Sequence, residues 1–543
     1  MAIEADVVIA GAGPVGLTLA IELGQQGIKV LLADKRPGLG KLPKMERCNA
    51  RTMENFRRLG IADRIRAAGL DNDMPMDVFI CLQNVVNPPL VHHSYPSANE
   101  LKAQYGATDD GSQPAEPYQL ISQYTLEPLL REVAENTPGV TVVFDREVTD
   151  FKQNDLGVTT SIRSASGVSE TVNSSYLVGC DGAASTVRDR LKITLSGDSL
   201  LEMRQALFRS DDLLDRIPIG VGRHYHIADD SNSFLIVQDD KKHFSLHATV
   251  DTDEEMPALF ERVVGFPIDY ETLYIGKWRQ RLMLADRYRD GRVFIAGDSA
   301  HLVIPTGGLG MNTGHGDAVD LAWKLAATIH GWGGPALLDS YEAERRPTGA
   351  RNIAASRKAA TGRRTWRSMW KPDITEDNPA GRHTRQELAR VADIEQRWSN
   401  DLYGIELGYR YTASPVISYD ETEIRTAAED DLDFAYTPST APGARLPHVW
   451  LDDGRPIQDE LGREYTLLSI DSSYTHADFA ALAEAFAAFG APLRVYAPAS
   501  THARAVYGTG LILVRPDLHI VWTGEAPPVD PQRAARIATG HVS

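Results

Sequence analysis

The sequence predicts an α/β protein of several domains: a parallel-sheet nucleotide-binding domain, a β-rich sheet inserted into it, and a further α/β unit at the C-terminus. Three observations carry this. The apolar run Val7 to Ala10 leads into Gly11-Ala12-Gly13-Pro14-Val15-Gly16 and then a helical pattern. Residues 200–285 hold several alternating apolar runs, and a strand–helix–strand pattern returns after residue 436.

The N-terminal segment reads as a βαβ unit. Leu17, Leu19, Ala20 and Leu23 continue the helix, and Ile28 to Ala33 forms a second strand ending in Asp34. Gly11 permits the tight turn, Gly13 lets a pyrophosphate approach the backbone, and Gly16 lets helix and strand pack closely. The pyrophosphate would sit at the helix N-terminus, where free N–H groups and a dipole of roughly half a charge favour an anion. Asp34 lies where a carboxylate accepts hydrogen bonds from ribose hydroxyls. At this point NAD and FAD fit equally well.

Composition bounds the function classes. A chain of 543 residues, 43% hydrophobic and 24% charged, can bury large cores in two to four domains. No apolar run is long enough for a transmembrane helix and the N-terminus enters a strand at once, so a cytoplasmic protein without a signal peptide or membrane partner is expected. The formal charge of −18 argues against nucleic acid. The three cysteines, Cys48, Cys81 and Cys180, form no metal-ligand spacing, so no metal is expected.

A charged segment, residues 41–58, enters a helix at Arg51-Thr52-Met53-Glu54. Residues 71–117 lose periodicity and read as strands and long loops. Gln119 to Glu135 is helical, and Val140 to Phe144, Val148 to Phe151, Gly157 to Ser166 and Thr171 to Val178 are strands, the last running into Gly179-Cys180-Asp181-Gly182. Among the later strands are Ser233 to Gln238 and Phe244 to Val250. Residues 350–435 carry charged helical patterns whose Arg363, Arg364 and Arg367 read as solvated surface. Tyr465 to Ile470, a helix Ala477 to Phe489, Leu493 to Tyr496 and a hairpin Leu511 to Trp522 complete the chain.

The segment Arg292 to Ala326 separates the two nucleotides. It combines an apolar strand ending in Gly297-Asp298, a loop with Pro305 and Gly308-x-Gly310-Met311-Asn312, and a long helix. Together with Gly11-x-Gly13-x-x-Gly16 and Asp181-Gly182, in this order, it resembles the class A (single-component) FAD-dependent aromatic monooxygenases, the family of p-hydroxybenzoate and phenol hydroxylase. The resemblance covers most of the chain.

It implies a Rossmann-like FAD-binding domain (1–75, 115–190 and 285–350), an inserted β-sheet substrate domain (76–114 and 191–284), a helical connection (351–435) and a thioredoxin-like C-terminal domain (436–543). That last domain holds no cysteine, and thiol exchange requires a thiolate, so packing or dimerisation is left to it and a homodimer stays open. Asp298 would meet the FAD ribityl chain. Pro305, Gly308, Gly310, Met311 and Asn312 would lie beside the isoalloxazine, where a helix N-terminus stabilises charge developing on reduction. The cofactor set also includes Gly11, Gly13, Pro14, Val15, Gly16, Asp34, Lys35, Arg36, Gln123, Asp181 and Gly297. Lys44 stands where many members carry a cofactor-contacting Arg, and Arg47 could take over that role. Asp320 stands where many relatives carry Asn, a change of helix-face polarity.

NAD(P)H and O₂ are the implied co-substrates. In the family, reduced flavin and O₂ give a C4a-hydroperoxide whose distal oxygen is attacked by an electron-rich ring. A phenol serves best deprotonated, so the site needs a base or relay in a dry pocket. Candidates are Glu46, which matches an acid of the phenol-hydroxylase-like enzymes, and His224, Tyr225 and His226 of the inserted sheet, where alternation sends the two histidines to one face and Tyr225 to the other. Gln238 and His247 belong to the same sheet, and Arg281, Tyr288 and Pro305 complete the set.

The leading function is hydroxylation of a small phenolic or other aromatic substrate. Oxygenation of a polycyclic, polyketide-like substrate, with hydroxylation or Baeyer–Villiger outcome, is the alternative on the same scaffold. A flavin-dependent halogenase, a non-oxygenating FAD reductase and a non-enzymatic FAD carrier are the other classes. A halogenase would show a Trp-x-Trp-x-Ile-Pro segment, which this sequence lacks.

Overall fold

A computed structural model describes residues 3–40, 44, 46–419, 432–471 and 473–542. Parts of two predicted segments, 41–43 and 45 in the charged N-terminal stretch and 420–431 in the helical connection, lie outside the described residues.

The first sheet is built on five parallel strands in the order Val293–Ile295, Ser169–Gly179, Ile3–Ala10, Val30–Ala33 and Val140–Val143. Strands covered on both faces need continuous apolar runs, and Val7, Val8, Ile9, Leu32, Leu177 and Val178 are fully buried. Ala10 lies opposite both Gly179 and Ala33, and Gly179 lies opposite Ile295. The carboxyl ends of four strands therefore finish level, bringing Gly11, Asp34, Asp181 and Gly297 to one edge. Ligands bind at that edge of open parallel sheets. The predicted β meander is present: Arg146–Asn154 pairs antiparallel with Gly157–Ser164, which pairs antiparallel with Ser169–Gly179.

The helix Pro14–Gly24 is almost wholly buried between this sheet and the helix Leu309–Ile329. A Cβ at Gly314 would meet Val15 Cγ2 at 2.5 Å and Gly297 Cα at 3.1 Å, so the closeness of the two helices depends on that glycine.

The second sheet has eight strands in the order His301–Leu302, Glu271–Ala285, Leu195–Arg209, His243–Ala248, Phe234–Val237, His224–Ala228, Val78–Leu82 and Val91–His93. Chain from three separate stretches thus forms one layer. Residues 71–117 are not only strands and loops: Ala98–Gly106 is a helix started by a reciprocal capping box of Ser97 and Glu100. A 33-residue helix, Pro335–Arg367, runs from the first sheet to the second, with Pro347 inside it.

The third sheet, Leu493–Tyr496, Tyr465–Ser469, Leu511–Val514 and Ile520–Gly524, mixes one parallel pair with two antiparallel pairs. It packs Tyr465, Leu467 and Phe486 against Trp323 and Trp332. Beside this core lies a buried ionic cluster: Arg515 binds Glu344 at 2.6 Å and Asp517, while Lys324 binds Asp320 at 2.8 Å and Glu344 at 2.6 Å. Asp320 is therefore no surface substitution; at 1% exposure it is a member of the joint between helix Leu309–Ile329 and the C-terminal sheet. No helix among the described residues is long and apolar enough to cross a membrane.

Candidate active site

The level strand ends are locked by backbone hydrogen bonds: Gly11 N–H to Ala33 O (2.7 Å), Cys180 N–H to Ala10 O (2.8 Å) and Ala296 N–H to Gly179 O (3.0 Å). Gly11 has φ +103°, and a Cβ there would lie 2.4 Å from Cys180 O. Asp34 accepts from Ala12 N–H at 2.7 Å and from Arg36 Nε and Nη2 at 3.0 and 2.9 Å. Burial would raise the Asp34 carboxyl, but Arg36 and the backbone N–H groups reverse this and hold it low. Asp181 accepts from Ser185 Oγ (2.5 Å), Val187 N–H (3.1 Å) and Ser299 Oγ (3.1 Å), bracketing two strand ends together.

From this edge a single cavity of about 1330 Å³ extends to the second sheet. It exceeds the roughly 300–1,000 Å³ of a pocket for one drug-sized ligand. At one end lie Gly11, Gly13, Pro14, Val15, Asp34, Lys35, Arg36 and Gln123; in the middle, Lys44, Asp181, Asp298, Pro305, Gly308, Gly310 and Met311; at the far end, residues of the second sheet. Gln123 donates to Glu127 at 2.6 Å.

An elongated dinucleotide fits this lining. Nothing would meet a Cβ at Gly13, so the backbone there is open to a ligand. Asp298 projects into the cavity with no side-chain hydrogen bond among the described residues, and burial of its surroundings raises its carboxyl, an acceptor waiting for hydroxyl groups. Gly308, in the left-handed region at φ +66°, turns the loop so that the first-turn N–H groups of helix Leu309–Ile329 face the cavity. Beneath the turn, Asp317 accepts from Gly297 N–H (3.0 Å), His301 Nε2 (2.7 Å) and Arg345 Nε (2.9 Å).

Gly16 and Gly297 act under the cavity, by packing and turning. Asn312 does not face it either: its side chain accepts from Asn49 N–H and donates to Arg47 O and Gly308 O, pinning the helix start to the strand Arg47–Cys48. Arg47 lines the cavity, but its guanidinium is held by Glu406 at 2.5 Å and Gly307 O at 3.2 Å, so it braces the glycine loop.

At the far end Glu46 and His224 meet, with His224 Nε2 and Glu46 Oε2 2.8 Å apart. Arg223, fully buried, donates from Nε to the same oxygen at 3.2 Å. Burial pushes the Glu46 carboxyl up, yet His224 and Arg223 outweigh it and hold the group well below the ordinary carboxylate range. Arg223 was not read from the sequence; an Arg beside a His-x-His strand gives no periodic signal. His226 shares the His224 face, and Phe234, stacked on His247 at 4.7 Å between centroids, continues the wall to Trp278. His247 is pushed down to about 3 by burial. Gln238 donates to Ser245 Oγ at 3.2 Å, and Arg281 lines the rim from an exposed strand position.

Two candidates are placed elsewhere. Tyr225 points to the opposite face, stacks on Phe79 and donates to Gly220 O, inside the core of its sheet. Tyr288 is fully buried among Tyr341 and His301, and burial pushes its phenol well up. Neither lines the cavity. Arg363 and Arg367, expected on the surface, do line it, because the helix Pro335–Arg367 ends against strand His224–Ala228. Among the described residues no group of three or more His, Cys, Asp or Glu side chains is placed to hold a metal ion.

This fold and lining define a single-chain flavoprotein oxygenase. A family model described as "FAD binding domain" matches residues 4–356, and one described as "Aromatic-ring hydroxylase, C-terminal" matches residues 439–541. The chain belongs to the FAD-dependent aromatic-ring hydroxylases, flavoprotein monooxygenases whose family uses NAD(P)H and O₂. It is 32% identical to FAD-dependent monooxygenase apdD of Emericella nidulans, over 96% of this chain and 87% of that protein. It is likewise 32% identical to aklavinone 12-hydroxylase RdmE of Streptomyces purpurascens, over 96% of each. Among solved structures, RebC soaked with chromopyrrolic acid and holding 7-carboxy-K252c superposes with a TM-score of 0.89 at 30% identity, over the whole of both chains.

Proposed function

We propose that this monooxygenase hydroxylates a polycyclic phenol, with the phenolic oxygen set at Glu46 and His224. The carrying observation is the hydrogen-bonded Glu46–His224–Arg223 group at the far end of a cavity of about 1330 Å³, long enough to take an aromatic substrate beside a dinucleotide. When bound, FAD reduced by NAD(P)H supplies one oxygen atom of O₂ as an electrophile. The residues at the mouth of helix Leu309–Ile329, with Asp298, Lys44 and the Gly11–Gly16 turn, would hold the cofactor.

Among the described residues Glu46 Oε1 has no hydrogen-bond partner, and the side chain is 24% exposed, so this oxygen can receive the phenolic O–H. The ionised carboxylate accepts this hydrogen bond and polarises the phenol, while Arg223 and His224 fix the carboxylate plane. Phe234, Ile236, Met203 and Trp278 give flat apolar walls that orient fused rings and exclude water. The likeness to an aklavinone 12-hydroxylase and to RebC holding 7-carboxy-K252c supports a polycyclic substrate.

The domain partition drawn from the sequence belongs to this reading, with the mixed four-stranded C-terminal sheet and its flanking helices supporting a thioredoxin-like unit. A cytoplasmic location belongs to it too, and sizing in solution decides between monomer and homodimer. The test is a panel of phenols, hydroxybenzoates, nitrophenols and polycyclic phenols assayed for stimulated NAD(P)H oxidation with product mass. A gain of one oxygen on a polycyclic member is expected; hydrogen peroxide alone from every member overturns the proposal.

A further inference from the structure

The cavity is basic in a strongly acidic chain. Two of its cations, Arg363 and Arg367, stand one helical turn apart at the end of helix Pro335–Arg367. Neither has a carboxylate within ion-pair distance among the described residues. Arg367, 8% exposed, donates to Ile227 O (3.2 Å) and Ser233 O (3.1 Å) and lies 3.4 Å from His226 Nδ1. All are neutral groups. Arg363 has one long contact, Nη2 to Ser399 Oγ at 3.5 Å, and its guanidinium carbon sits 5.4 Å from the centre of the Phe234 ring that walls the pocket.

Two like charges held close together in a poorly solvated site oppose each other. Burial pushes Arg363 down to about 10 against the charge of Glu46, and burial pushes Arg367 down to about 9 against the charge of Asp229, Arg363 adding to the fall. Buried charges are ordinarily paired. Elsewhere this chain obeys the rule: the fully buried Arg345, Arg445 and Arg515 all bind carboxylates. With no carboxylate at ion-pair distance among the described residues, an anion brought into the cavity would pair the two at its wall, and a guanidinium presents the fork that a carboxylate matches.

We infer that Arg363, backed by Arg367, receives a carboxylate of the substrate, so that the substrate class is a polycyclic phenol carrying an acid group across the His226–Phe234 wall from its hydroxyl. This rests on the polycyclic phenol reading above. The same guanidinium could instead take a phosphate of the nicotinamide donor. Its place on the substrate wall, away from Gly11 and Asp34, favours the substrate.

The test uses the FAD-loaded enzyme and two matched probes, 1,8-dihydroxyanthraquinone-3-carboxylate and its 3-methyl counterpart. Dissociation constants come from the change in flavin absorbance, with KM for NADH and NADPH measured beside them. The acid is expected to bind at least tenfold tighter than the methyl compound. Arg363→Met should abolish that preference with full FAD content, and Arg363→Lys should restore part of it. Equal affinity for the two probes, no binding of either, or an Arg363→Met variant that keeps the preference overturns the inference, as does a defect confined to the KM for NADH or NADPH. Tight, Arg363-dependent binding of the acid without oxygen insertion would leave it standing and count against the hydroxylation reading alone; oxygen insertion without acid preference does the reverse.

Discussion

His224 Nε2 lies 2.8 Å from Glu46 Oε2, joining a loop of the nucleotide domain to the first residue of a strand in the second sheet. The neighbouring Arg47 donates to Gly307 O, so the pair is tied through one residue to the glycine loop of the cofactor site. Glu46→Gln should lower kcat/KM for hydroxylation by about 10²–10⁴, the range of a lost acid–base group. Its FAD content should match the parent. A variant with unchanged kcat/KM would remove Glu46 from the chemistry. Because the Glu46 carboxyl is held low, it stays ionised through neutral and mildly acidic pH, and an acid limb of activity near pH 6 would belong to another group.

Asp298 makes no side-chain hydrogen bond among the described residues and opens on the cavity, where it feels the charges of His301 and Lys44. Asp298→Ala should release FAD, or weaken it at least tenfold, while far-UV circular dichroism is unchanged. Absorbance of the purified protein at flavin wavelengths reads the result directly. Full retention of flavin would count against a ribityl contact at this carboxylate.

Gly11 combines φ +103° with a Cβ position 2.4 Å from Cys180 O. The left-handed backbone alone costs a side chain about 1–3 kcal/mol, and the clash falls on the backbone of the adjoining strand end. Gly11→Ala should therefore unfold at lower denaturant and lose FAD together, measured by chemical denaturation with and without added FAD. Wild-type stability would show that the strand ends are free to shift.

These two glycine and carboxylate sites were legible in the sequence because they depend on local chemistry: a turn needs Gly11, and a strand ending in Gly297-Asp298 announces its own geometry. Most of the strands followed from apolar runs, and the shared face of His224 and His226 from alternation. What escaped depended on tertiary placement. Nothing local says that Tyr288 is sealed beneath Tyr341, that Asn312 turns inward to Arg47 O, or that Asp320 meets Arg515 from 195 residues away. Arg363 and Arg367 sit in a charged helical pattern that, in isolation, is indistinguishable from solvated surface.

Glu54 accepts from Arg445 Nε at 2.9 Å and Nη2, both residues being almost fully buried, and this joins helix Ala50–Arg58 to the C-terminal region. Burial would raise the Glu54 carboxyl, but Arg445 and Arg51 hold it low. Breaking a buried pair from one side leaves an unpaired charge and costs about 3–5 kcal/mol. Glu54→Ala should show that loss in urea unfolding. The double variant Glu54→Leu/Arg445→Met should recover much of it. A single variant within about 1 kcal/mol of the parent would mean that water reaches Arg445.

The buried histidines set the acid side of stability. His247 and His315 are pushed down to about 3 by burial; His315 bonds Thr18 Oγ1 at 3.0 Å and packs edge-on against Phe56. Both are neutral in the fold, whereas in the unfolded chain a histidine takes up a proton below about pH 6.5. The unfolded state thus binds more protons between about 6.5 and 3. Stability is complete above that window and falls as pH drops through it, with a slope approaching about 1.4 kcal/mol per pH unit for each histidine. Urea unfolding between pH 7.5 and 5 should show this decline before carboxylate protonation contributes. His315→Gln should flatten the slope by close to one proton. Equal slopes in parent and variant would mean that His315 is already protonated, or solvated, in the native protein.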